Sequence, residues 1–179
     1  MKKIYKTLCI TIAISMCTII TAYASEIPQK EYFNTVKWYI GNEKINEVKV
    51  APVINLKAMS KGMNLGYLDP KLKEIKSTKE EITDLVGTIN ATEITNDTLK
   101  KMNEELLTRL STMTTYLERS ESQYEALIGY DRHYIGKYFT LKVGEIFTNS
   151  ADDNLKYYNK DYKEVKRIYK DIKDVMKDM

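Results

Sequence analysis

The sequence predicts an all-α fold, an antiparallel helical bundle of about four helices within residues 25–179. Three observations predict it. Apolar side chains recur at three- and four-residue intervals through most of the chain. Helix breakers are scarce, with three prolines and seven glycines in 179 residues. No segment sustains the two-residue alternation of a sheet. Several unlike apolar stripes joined by short connections favour a bundle within one chain over a long coiled coil between chains.

The C-terminal segment carries the clearest stripe. Leu155, Tyr158, Tyr162, Val165, Tyr169, Ile172, Met176 and Met179 follow a 3-4-3-4 spacing, with charges of both signs between them. This spacing predicts an amphipathic helix, with Asp152 or Asp153 as its N-cap. Another helix is expected from about Asp97 to Ile128, capped by Asn96 or Asp97. Its stripe is Leu99, Met102, Leu106, Leu110, Met113, Leu117, Tyr124 and Leu127. Ahead of it, Asp69-Pro70 reads as a helix start, with Asp69 as cap and Pro70 at the first helical position, where its missing N–H costs nothing. Leu72, Ile75, Ile82, Leu85, Val86 and Ile89 form that helix's face, out to about Ala91.

Tyr32, Phe33, Val36, Tyr39 and Ile40 predict a helix nearer the N-terminus that breaks or bends at Gly41-Asn42. Val48-Lys49-Val50 alternates briefly, as a strand would. Pro52 cannot donate to a helix, so the first helix is expected to kink near Pro52 and to continue through Ile54, Leu56 and Met59. Gly62 and Gly66 mark the loop before Pro70.

The first 24 residues read as a signal peptide. Lys2, Lys3 and Lys6 form a basic start, Leu8 to Ile20 an apolar run, and Ala22 and Ala24 occupy the −3 and −1 positions of a cut before Ser25. The apolar run is shorter than the roughly 20 residues that a membrane span needs. The protein is thus expected to be secreted or held at the cell surface, with residues 25–179 as one domain. The lysine, isoleucine and asparagine bias suits an AT-rich bacterial genome. Both cysteines, Cys9 and Cys17, lie in this segment. Bulky Met16 ahead of Cys17 argues against a lipidation site, and no disulfide framework is expected. Three of the 28 basic residues also lie there, leaving 25 against 25 acidic residues. A formally neutral domain argues against a general electrostatic pull on nucleic acid or anionic lipid.

Few residues suit catalysis. His133 is the only histidine, and Asp131 stands two residues away, where a helix does not let the pair meet. Zinc and copper sites lack ligands. No Gly-x-Ser-x-Gly, phosphate-cradling Gly-rich loop or calcium-loop spacing is present. Glu80-Glu81, Glu104-Glu105 and Asp152-Asp153 read as solvated helix faces. A non-enzymatic protein without a cofactor or metal is expected.

The stretch YDRHYIGKYF, residues 130–139, is the candidate site. Tyr130, Tyr134 and Tyr138 fall four apart, on one helical face, with His133 among them. The Y-x-x-x-Y of Tyr134 and Tyr138 is similar to the haem-ligating tyrosine pair of NEAT domains. That resemblance covers five residues and implies haem capture. In that family the pair lies on a strand of a β-sandwich, whereas the spacing here is helical. Packing of the rings into the bundle is the competing reading. Past residue 24 the chain holds 12 tyrosines and three phenylalanines, and nine of those tyrosines fall between Tyr116 and Tyr169. Tyrosine keeps an aromatic surface wettable and is common at interfaces. The sequence therefore points to a binding module with a protein partner or its own kind. The alternative is a carrier of haem, peptide or sugar built on Tyr130, His133, Tyr134 and Tyr138.

Overall fold

Residues 28–49, 68–133 and 141–179 are described by the structure, a computed structural model, with side chains at 28–49, 68–129 and 146–179. Helix α1 covers residues 28–36 and passes into a π-helical turn, Lys37–Gly41. Helix α2 is Asp69–Asn90, α3 is Asp97–His133 and α4 is Leu141–Lys177. No strand occurs among the described residues. The expected helical bundle is what the chain forms. The signal segment, the kink at Pro52 and the helix through Ile54, Leu56 and Met59 fall outside the described residues.

The two 37-residue helices α3 and α4 form the main hairpin. At about 1.5 Å per residue each is about 55 Å long. Their antiparallel register is marked along the length by side-chain pairs. The Tyr124 hydroxyl donates to Asp152 at 2.8 Å, Arg109 pairs with Asp161 at 2.8 Å, and Arg167 reaches Glu105 at 2.8 Å. Helix α2 lies antiparallel to α3, with Lys76 on Glu125 at 2.7 Å and Lys79 on Glu121. These pairs, some exposed and some partly buried, mark the register of the helices.

The stripe residues fill the core. Leu99, Leu106, Leu110, Met113, Leu117, Tyr124 and Leu127 of α3 are buried, as are Leu155, Tyr158, Tyr162, Val165 and Ile172 of α4. Ile75, Ile82, Leu85 and Ile89 cover them from α2, and Tyr32, Val36 and Ile40 from α1. The α4 seam is wider than its 3-4 pattern, because Ile168 and Ala151 are buried too, and it stops before Met179, which is exposed.

Helix starts differ from expectation in two places. Leu68, not Asp69, is the N-cap of α2, so Asp69 and Pro70 both lie in its first turn, where a carboxylate faces the positive helix end. Helix α4 begins at Leu141, so Asp152 and Asp153 are mid-helix residues and not caps. Contacts with α3 explain this longer helix. The Ser120 hydroxyl donates to the Ala151 carbonyl at 2.9 Å, and Gln123 donates to the Ser150 hydroxyl at 2.6 Å. Polar residues with poor helix propensity are held helical by their neighbours. The α3 cap is as expected, with Asn96 Oδ1 accepting from the Leu99 N–H at 3.0 Å. Helix α3 then runs past Ile128 to His133.

Asp152 meets a partly buried environment instead of solvent. Burial is the largest influence on its carboxyl and raises its pKa, with Asp153 acting in the same sense; the Tyr124 hydroxyl, Lys156 and Lys71 oppose them. A folded-state pKa above the unfolded one means that ionisation costs stability. The cost is absent below the ordinary carboxylate range and grows in as pH rises through it. Asp152→Asn keeps an acceptor for Tyr124 and is expected to raise Tm at pH 7. That advantage should vanish in acid below about pH 4, which melts at the two pH values would check.

The chain after α1 supports α4 without forming a strand. Residues 46–49 have no regular structure, and the Asn159 side chain pairs with both backbone groups of Val48. Its Oδ1 accepts from the Val48 N–H at 3.0 Å and its Nδ2 donates to the Val48 carbonyl at 2.9 Å. The short alternation at 48–50 thus buries Val48 while a side chain, not a neighbouring strand, satisfies its backbone. One residue earlier in α4, the Tyr158 hydroxyl donates to the Asn46 carbonyl at 2.7 Å. Tyr32 contrasts with it. Its hydroxyl is buried without a hydrogen-bond partner among the described residues, and burial pushes its ionisation well above the usual tyrosine range. Tyr32→Phe should therefore stabilise the fold by about 1 kcal/mol, read from urea unfolding, because it removes an unsatisfied polar group and keeps the ring.

Candidate binding groove

Of the residues singled out in the sequence, Tyr130 and His133 lie in the last turn of α3, where the backbone but not the side chains is described. Tyr134 and Tyr138 lie outside the described residues. The other tyrosines divide by role. Tyr32, Tyr124, Tyr158 and Tyr162 are buried core residues. Tyr157 is 55% exposed and stacks on Tyr116 of α3, with ring centroids 5.5 Å apart. Tyr169 does something else, and lines a groove on the surface of the bundle.

Helix α1 packs antiparallel to the C-terminal part of α4. Phe33 of α1 stacks on Tyr169 of α4, with centroids 6.4 Å apart and planes 10° from parallel. A groove of about 480 Å³ opens beside this pair, lined by Lys30, Phe33, Asn34, Lys37, Tyr169, Lys173, Met176 and Lys177. Its floor is the Phe33 and Tyr169 rings with Met176. One wall carries Lys30 and Lys37, the other Lys173 and Lys177. Among the described residues no acidic side chain lines it.

The end of α1 shapes this site. The Asn42 N–H donates to the Lys37 carbonyl at 2.9 Å, five residues back, which makes the last turn a π turn. Glu43 follows with φ 58°, and the Ile45 N–H returns to the Tyr39 carbonyl at 2.9 Å. Lys166 reaches the Ile40 carbonyl at 3.5 Å, a cation at a helix C-terminus. Wide π turns of this kind often accompany functional sites. Gly41 is required here by close approach, because a Cβ at that position would lie 2.5 Å from the Tyr169 hydroxyl oxygen and 2.9 Å from its ring. The half-buried ring borders the open groove, and a Cβ at residue 41 would force it aside from its stack on Phe33. Gly41→Ala should cost about 1–3 kcal/mol and shift the Tyr169 ring, checked by thermal melts and by the ring's NMR resonances.

The charge of the groove is only partly compensated. Lys177 holds Asp174 at 2.8 Å. Lys37 and Lys173, on opposite walls, have no carboxylate within ion-pair distance among the described residues. The Asp174 carboxyl is held below its usual range, chiefly by its hydrogen bond from Lys177, with Lys170 and Lys173 adding to it. Next to the groove on α1, Trp38 is 52% exposed, with the Lys44 ammonium 4.8 Å from its ring centroid.

Sequence reasoning placed the binding face in the tyrosine-rich C-terminal half but did not find this groove. Among the described residues no group of three or more His, Cys, Asp or Glu side chains converges, and no helix is long and apolar enough to cross a membrane. In comparisons with known proteins, no family model, no curated protein and no solved structure matches this chain.

Proposed function

We propose that this chain is an exported, non-catalytic helical-bundle module that works by binding another protein, or a second copy of itself, outside the cytoplasm. Its export rests on the basic, apolar and Ala-x-Ala pattern of residues 1–24. One observation carries the binding role, the open groove between α1 and α4, whose apolar floor lies between two lysine walls. Stability does not call for such an arrangement. Facing lysines repel one another, and a half-buried aromatic floor left in water forgoes part of its burial energy, about 25 cal/mol per Å². Both costs fall when a partner covers the site. Among the described residues the buried stripes of the four helices already form one core cluster without it.

The test is capture at the surface of the source cell, using the mature protein and a Lys37→Glu/Lys173→Glu variant side by side. Both lysines are exposed, so the variant should fold. The reading expects a protein retained by the wild type and lost from the variant, or concentration-dependent self-association that the variant abolishes. Equal retention by both, or none by either without self-association, would overturn it.

A further inference from the structure

We infer that the α1–α4 groove takes a short acidic protein segment with an apolar centre, whose carboxylates meet the two lysine walls and whose apolar side chains lie on the Phe33–Tyr169–Met176 floor. This rests on the reading of the chain as a protein-binding module and names the chemistry of its partner.

Charge complementarity carries the inference. The domain past residue 24 is balanced, 25 basic against 25 acidic residues, so a groove whose described lining holds four lysines and no acid, with only Lys177 paired to a nearby Asp174, is a matter of placement and not of composition. Lys37 and Lys173, one contributed by α1 and one by α4, have no carboxylate within ion-pair distance among the described residues. A ligand with one carboxylate would answer one wall and leave the other. A segment with acidic residues on both flanks answers both. The dimensions agree. Lys30 and Lys37 are two helical turns apart, about 10 Å, which accommodates two turns of a partner helix or about three extended residues. Recognition of this kind, with apolar anchors in a groove and charges at its rim, is an established mode of peptide binding. A membrane surface fits less well. The floor residues Phe33, Tyr169 and Met176 are half-buried in a concavity, whereas insertion into a bilayer needs apolar side chains that protrude.

The experiment titrates the whole mature protein with three capped hexapeptides: Asp-Glu-Leu-Phe-Glu-Asp, its basic counterpart Lys-Arg-Leu-Phe-Lys-Arg, and the polar-centred Asp-Glu-Ser-Gly-Glu-Asp. Trp38 fluorescence reports binding, and the Met176 methyl and Tyr169 ring resonances report its place. Only the acidic, apolar-centred peptide should bind and move those resonances. Its affinity should fall about tenfold or more in Lys37→Glu/Lys173→Glu and less in Lys37→Gln/Lys173→Gln, and it should weaken with salt. No binding by this peptide, equal binding by either control, or binding indifferent to both variants would overturn the inference. So would saturation of the groove by dodecanoate or by phosphatidylglycerol vesicles in preference to the peptide, or its occupation by the chain's own residues 50–67. Failure of the peptide with a positive surface capture would remove the acidic-segment chemistry and leave the protein-binding role. Failure of the capture would remove that role itself.

Discussion

Tyr158→Ala is expected to destabilise the protein by about 4 kcal/mol, a large share of the roughly 5–15 kcal/mol available to a domain of this size. Two losses combine. The ring is fully buried at the meeting of α4 with the segment after α1, so its removal leaves a cavity. Its hydroxyl also donates to the Asn46 carbonyl at 2.7 Å, and the truncated side chain leaves that acceptor without its donor. The neighbouring residue supplies the control. Tyr157 is 55% exposed, and its main contact is the stack on Tyr116. Tyr157→Ala should cost about 1 kcal/mol or less. Urea unfolding of the two variants would show whether adjacent tyrosines differ as their burial requires. Equal, small effects would mean that the α4 seam is a docking face and not part of the core.

Ending the chain at Ala151 is expected to have a still larger effect. Residues 152–179 supply Leu155, Tyr158, Tyr162, Val165, Ile168 and Ile172, the buried face against which α1 and much of α3 pack. Uncovering it would expose most of the α3 stripe. At about 1.5–3 kcal/mol for each large apolar side chain returned to water, the sum exceeds any plausible stability of the remainder. The shortened protein should lose its cooperative melt and aggregate, as circular dichroism and size-exclusion chromatography would show. A monomeric remainder with a sharp transition would contradict the packing described.

Much of this fold was legible because each helix carries its own periodic stripe. The α3 stripe from Leu99 to Leu127 and the α2 face from Ile75 to Ile89 are buried as their spacing predicts, except Met102 and Val86, which are partly buried against the core. The break at Gly41-Asn42 was also legible, although the reason for a glycine there, the Tyr169 hydroxyl 2.5 Å from the place a Cβ would take, is tertiary. The start of α4 was not. Apart from Ala151, residues 149–154 are polar, and Asp152 or Asp153 reads locally as an N-cap. Ser120, Gln123 and Tyr124, some thirty residues earlier, make the hydrogen bonds that keep them helical. The brief alternation of the sequence at 48–50 invited a strand because a sequence cannot show that the Asn159 side chain would take up both backbone groups of Val48.

The candidate site was the least legible part. The eye goes to Tyr130, His133, Tyr134 and Tyr138 because they cluster along the chain. The groove joins Lys30, Phe33 and Lys37 to Tyr169, Lys173 and Met176 from the far end of the sequence. Each half, read alone, is an ordinary amphipathic helix with lysines beside its stripe. Only the antiparallel pairing of α1 with α4 brings the two rows of cations to face each other across the stacked rings.

The claim that this groove is the binding surface is tested most directly by site-specific photo-crosslinking on the source cell. A photoreactive residue would be placed in turn at Asn34 in the groove, at Tyr157 on the exposed aromatic pair, and at Glu118 on the outer face of α3. A discrete protein adduct from position 34, absent from 157 and 118 and lost when Lys37 and Lys173 are reversed to Glu, is the predicted result. Adducts at 118 or 157 with none at 34 would contradict it and move the binding surface elsewhere on the bundle.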